Sequence, residues 1–171
     1  ESDDRFELKN AIFANGYSSN YGGAISISCS DDENLFNKLF IDIVDCSFNN
    51  CSSTYGGSFC STIEGTITFE NCKFFKGKAE KGADIYCTDD SNDTPSTLNI
   101  ANCVFSDSEA TDAGGAIYCK SGSVSFTDNN FTNCKAAKKG ASMYIDAETS
   151  ALFSKNNIEM TKTKGVSSIY Y

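Results

Sequence analysis

An apolar–polar–apolar triplet recurs six times along the chain, as Phe6-Glu7-Leu8, Ile41-Asp42-Ile43, Ile67-Thr68-Phe69, Leu98-Asn99-Ile100, Val124-Ser125-Phe126 and Ala151-Leu152-Phe153. The outer members are apolar in every copy and the middle one is polar in five. Alternation with a period of two predicts a strand with one buried face. Two residues after each triplet stands Asn10, Asp45, Asn71, Asn102, Asp128 or Lys155. Asn and Asp tolerate left-handed backbone and bond their own main chain, which predicts a sharp corner there. Three residues further lies an apolar column of Phe13, Phe48, Phe74, Phe105, Phe131 and Ile158. A glycine closes each unit (Gly22, Gly56, Gly82, Gly114, Gly140, Gly165), and Ile25, Phe59, Ile85, Ile117 and Met143 begin a third strand beyond it.

The glycines are 34, 26, 32, 26 and 25 residues apart. A basic unit of about 25 residues therefore absorbs two insertions, both placed between a third strand and the next triplet. The insertions are acidic, carrying Asp31-Asp32-Glu33 and Asp89-Asp90 with Asn92-Asp93. Repeated short strands with insertions confined to one corner predict an all-β, right-handed parallel β-helix of about six coils, three strands per coil, in a single domain spanning 1–171. No helical period competes with this reading.

The segments Tyr21-Gly22-Gly23-Ala24-Ile25 and Ala113-Gly114-Gly115-Ala116-Ile117-Tyr118, each following an Asn-rich Phe turn, resemble the GGAI and FxxN repeats of polymorphic outer-membrane proteins and of related protist cell-surface proteins. The other copies depart from GGAI, and the asparagine follows Phe by two places, as in Phe13-Ala14-Asn15, not three. The resemblance implies a β-helix, surface display and adhesion. The membrane barrel of the bacterial proteins has no counterpart in this sequence.

Charge and composition narrow the function classes. There are 23 acidic and 14 basic residues, a net charge of −9, and a single arginine, Arg5. Phosphate backbones are neutralised by Lys and Arg, so nucleic acid is not an expected partner. Histidine is absent, which removes the usual general base and the usual zinc ligand. No apolar run reaches the roughly 18 residues of a membrane span. The sequence starts at Glu1 without a methionine or a leader-like stretch, which suggests a mature product or a fragment.

Nine cysteines without any C-x2-C pair favour an oxidising, extracellular or cell-surface setting, with an odd thiol left over. Cys46, Cys72 and Cys103 fall in one column, and Cys87 and Cys119 in a second. Three readings stay open: small apolar fillers of a narrow core, disulfides within or between coils, or a metal ladder. Tyr86, Tyr118 and Tyr144 form an outward column continuing from Ser26 and Cys60, read as sheet packing or as a sugar-binding strip. Sequons at Asn50, Asn92 and Asn130 are glycosylation candidates, with Asn92 the best placed. The acidic insertions could take calcium but match no calcium-loop pattern, and no other cofactor is expected.

A polysaccharide lyase would need a basic side chain, which only a lysine could supply, and a hydrolase an acid pair, for which Glu7 and Asp42 on adjacent coils are the candidates; this reading ranks last. The expectation is therefore not an enzyme but a secreted structural protein that stacks head to tail into a filament. The alternative is an adhesive module recognising glycans or other surface proteins.

Overall fold

The computed structural model describes residues 4–28, 39–89, 96–159 and 165–171. They form nineteen strands and no helix, and every strand pairing is parallel. The chain is a parallel β-helix whose coils stack through main-chain hydrogen bonds.

Each coil is a triangle. Its first side combines two series of strands in one ten-stranded sheet. One series holds the triplets, in β1 (Arg5–Lys9), β4 (Leu39–Val44), β7 (Gly65–Glu70) and β11 (Thr97–Ala101). The other follows the glycines, in β3 (Ile25–Ile27), β6 (Phe59–Ser61), β10 (Ile85–Thr88) and β19 (Ile169–Tyr170). In the last two coils the two series fuse, giving the long β14 (Ile117–Thr127) and β17 (Met143–Ser154), whereas β6 and β7 stay separate across residues 62–64. The second side is the six-stranded sheet of the Phe column: β2 (Ile12–Ala14), β5 (Ser47–Asn49), β8 (Lys73–Phe75), β12 (Val104–Ser106), β15 (Asn130–Thr132) and β18 (Asn157–Ile158). The third side carries β9 (Lys78–Lys81), β13 (Glu109–Ala113) and β16 (Lys135–Ala136), extended toward the N-terminus by isolated bridges such as Tyr17 to Ser52 and Ser52 to Lys78.

Two expectations are corrected here. The strand after each glycine is not a separate side but belongs to the sheet of the next triplet. The coil count is also lower than the six expected, at about four turns, because the third side is regular strand only in the middle of the chain.

A left-handed residue marks every corner. Asn10, Asp45, Asn71, Asn102, Asp128 and Lys155 turn the chain from the first side to the second, with φ between 52° and 55°. Asn15, Asn50, Lys76, Asp107 and Asn133 make a second left-handed column at the next corner. The glycines make the third, and there a side chain is excluded by space as well as by φ. A β-carbon on Gly56 would collide with the Phe59 carbonyl.

The interior is filled by rows of one residue per coil. Leu8, Ile43, Phe69, Ile100, Phe126 and Phe153 are in register through the triplet strands. Mid-stack members are fully buried, and each stabilises the fold by about 1.5–3 kcal/mol. An isolated coil could not offset its backbone entropy, so the stack is the folding unit.

Candidate functional site

The Phe column is a continuous stack. Ring centroids are 5.1 Å apart for Phe13–Phe48, 4.8 Å for Phe48–Phe74, and 4.7 Å for both Phe74–Phe105 and Phe105–Phe131, with planes within 6° of parallel. Ile158 continues the column on Phe131.

The eight described cysteines are all buried; Cys29 lies outside the described residues. Cys87 and Cys119 are direct partners across β10 and β14. Cys46, Cys72 and Cys103 donate their thiols to the carbonyls two residues back, Val44, Glu70 and Ala101, at 3.2–3.3 Å. The Cys72 N–H in turn donates to Cys103 Sγ at 3.3 Å. Two asparagines then replace cysteine in the same column. The Cys103 N–H donates to Asn129 Oδ1 at 2.8 Å, and the Asn129 N–H to Asn156 Oδ1 at 3.0 Å. Asn129 Nδ2 donates to the Ile100 carbonyl and Asn156 Nδ2 to the Phe126 carbonyl, each at 2.8 Å. The column is thus a polar seam satisfying buried main-chain groups at one corner. Its asparagine half was missed in the sequence, although both stand two residues before the Phe column, as the cysteines do. Burial pushes the thiols of Cys60, Cys119 and Cys134 up to about 12.

Asp84 is the misfit of the interior. Main-chain bonds align it with Ala24, Ser58, Ala116 and Ser142 just beyond the glycine corner, a column otherwise small or weakly polar. It is wholly buried, and neither carboxyl oxygen has a hydrogen-bond partner. Desolvation pushes it up to about 8 against a smaller opposing pull from Ser108, so the buried form is the neutral acid.

On the outer face, Tyr86, Tyr118 and Tyr144 stack in register as expected, and Tyr170 extends them, with centroids 4.6–5.1 Å apart. Cys60 keeps its expected place in this column, between Ser26 and Tyr86, but it is covered. It is in register with Tyr86 yet only 1% exposed. The reason lies at the glycine corner, where Tyr21 and Tyr55 precede Gly22 and Gly56. Tyr55 stacks on Tyr21 at 5.5 Å and meets Tyr86 at 5.1 Å with the rings tilted by 44°, so the aromatic line crosses from the corner column to the strand column over the small residues Ser26 and Cys60. From Tyr86 to Tyr170 the rings lie face to face along the axis, so each ring face is occupied by the next ring, which favours cohesion over a sugar-stacking platform.

The corner column beyond Tyr55 continues as Lys81, Ala113 and Lys139. Lys139 Nζ lies 4.5 Å from the Tyr170 centroid and Lys81 Nζ 5.4 Å from that of Tyr118. Lys138 Nζ reaches Asp112 at 2.9 Å and Lys81 Nζ reaches it at 3.9 Å. With Tyr118 and Tyr144 these residues line an open cleft of about 220 Å³.

The other candidates divide. Glu7 and Asp42 are neighbours in register, but Glu7 pairs with Lys9 at 2.7 Å and Asp42 with Arg5 at 2.6 Å. Lys9 holds the Glu7 carboxyl below its ordinary value, the opposite of what a general acid needs. Asn50 stands exposed at a left-handed corner, its Nδ2 donating to Asn15 Oδ1 at 2.8 Å. Asn130 lies within β15 and accepts from Asn157 Nδ2 at 3.0 Å. Asn92 and nearly all of the acidic insertions lie outside the described residues. Among the described residues no group of three or more acidic or cysteine side chains converges to hold a metal, and no helix is long and apolar enough to cross a membrane. No protein-family model, curated protein or solved structure matches the chain.

Proposed function

We propose that the chain is a structural β-solenoid of the cell surface or extracellular space, a stiff rod that extends by end-to-end association. The observation that carries this reading is cohesion along the axis on both faces of the wall. The Phe stack runs inside from Phe13 to Phe131, and the tyrosine stack runs outside from Tyr21 to Tyr170. The inner rows also lose their burial in the outermost described coils. Phe6 is 41% exposed and Phe153 37%, whereas Phe69 and Phe126 of the same interior are fully buried. Among the described residues the outermost strands have no further strand beside them, and a coil of the same kind from a second copy would cover these rows. The GGAI-like segments imply the same surface setting. No catalytic role is proposed.

Sedimentation and electron microscopy of the chain beside Phe6→Lys and Phe153→Lys variants test this reading. Concentration-dependent linear assemblies, shortened in both variants while circular dichroism keeps its β signature, are expected. A wild-type chain that stays monomeric at high concentration would remove the proposal.

A further inference from the structure

The third side of the triangle differs in charge from the rest of the molecule. The stretches 76–81, 107–113 and 135–139 hold six lysines against four carboxylates, on a chain whose net charge is −9. The lysines are not scattered: Lys81, Lys138 and Lys139 converge on the cleft against Tyr118, Tyr144 and Tyr170. Among the described residues Asp112 is the carboxylate in its lining.

We infer that this cleft is a binding site for an acidic glycan, a sugar chain carrying carboxylate or sulfate groups. The argument rests on donor and acceptor chemistry and does not depend on end-to-end assembly. Within the lining itself three ammonium groups face one carboxylate, with Asp146 acting on Tyr118 and Glu80 on Lys138 from outside it, so the wall carries more positive than negative charge, which an anion satisfies. Lys139 is the most available of them. It lies over the Tyr144 and Tyr170 rings, and among the described residues no carboxylate is within ion-pair distance of it. The phenols of Tyr118 and Tyr144 add hydroxyl groups along the cleft wall, and burial pushes Tyr118 up to about 12, so its phenol stays protonated.

Asp112 decides between ligand classes. A bare anion or a dense polyphosphate would be repelled by it. A sugar hydroxyl would donate to it while the acidic group of the same chain meets the lysines. Cation, carboxylate and phenol on one wall thus fit a ligand bearing both hydroxyls and negative charge. Lys81 and Lys139 belong to coils two apart, so the lysines run along the axis and suit an extended chain.

The test is calorimetric titration of the intact chain at low and high salt. The probes are an oligogalacturonate, its fully methyl-esterified counterpart, a sulfated oligosaccharide of equal length and polyglutamate. The variants are Lys138→Gln/Lys139→Gln, both exposed, and Tyr144→Phe, which keeps the ring stack. The inference expects saturable binding to at least one acidic glycan, weakened tenfold or more by the double lysine change and by 0.5 M salt. It expects at least tenfold weaker binding to the methyl ester and a smaller loss for Tyr144→Phe. Binding of the carboxylated or of the sulfated chain alone identifies the acidic group. Equal binding of the methyl ester, no effect of the lysine changes, polyglutamate binding as tightly as either glycan, or no binding to either acidic glycan would each overturn it. None of these outcomes bears on filament growth, which sedimentation reads separately.

Discussion

Asp84 lies directly against Gly77: its Oδ1 fills the space that any β-carbon at residue 77 would need. The carboxyl therefore occupies a slot made by a missing side chain on the neighbouring corner, with Ser58 beside it and Cys51, Ser108 and Cys134 in the column of Gly77. Such a group is tolerated as the neutral acid and penalised as the anion.

The sign of the pH dependence follows. An aspartate in the unfolded chain ionises near 3.9, whereas Asp84 in the fold holds its proton up to about 8. Its neutral form is fully compatible with the fold below about pH 4. Stability then falls as pH rises through the interval to about 8, by about 1.4 kcal/mol per unit, because the folded state binds the extra proton. Urea unfolding between pH 4.5 and 8.5 should show this slope in the wild type and a flatter profile in Asp84→Asn. Parallel profiles would show that Asp84 does not carry the dependence.

Phe105 is stacked on both sides at 4.7 Å, while Phe13 has one stacked neighbour. Phe105→Ala should destabilise by about 3–5 kcal/mol and Phe13→Ala by clearly less, measured by denaturant midpoints. Equal losses would mean that the rings do not act as a continuous stack.

Asn129 accepts from the Cys103 N–H and donates to the Ile100 carbonyl, both buried. Asn129→Ala strands these groups and should cost about 1–3 kcal/mol for each left unsatisfied. Asn129→Cys restores the residue used at the same place in three other coils and should be the milder change. Thermal melts of the two variants compare them directly.

The thiols give a readout of coil opening. Cys60, Cys119 and Cys134 are nearly inaccessible, and burial holds them protonated at pH 8. Under native reducing conditions the eight described cysteines should react with an alkylating reagent at the rate of local unfolding, with mid-stack positions last. Rapid stoichiometric labelling of Cys119 would contradict the burial described.

The inner rows were legible because apolar residues recur at fixed places in every unit, as in Ile41, Ile67 and Leu98. The first corner was legible because five of its six residues are Asn or Asp. Lys76 hid the second corner, since lysine carries no left-handed signature. The strand after each glycine was misplaced because in two coils an insertion separates it from the next triplet. Only the fused β14 and β17 show the two to be one side. Asp84 was readable only as a departure, the single acid in a column of Ala and Ser. The lysine cleft was not readable, since Lys81, Asp112, Lys138 and Lys139 meet across coils through side-chain reach and not through spacing.

The crossing of the aromatic line at Tyr55 has a consequence for how such a chain can lengthen by duplication. The first two coils keep their tyrosine at the corner, and the later ones keep it on the strand. Copying a late coil onto the late end adds a ring where the next ring belongs. Copying an early coil there would set a corner tyrosine against a strand tyrosine across an unmatched junction, and copying a late coil to the front would leave two junctions where one now serves. The units are therefore not interchangeable bricks. They come in two kinds with one permitted seam, and growth of the gene within either kind is the route that leaves the outer line unbroken.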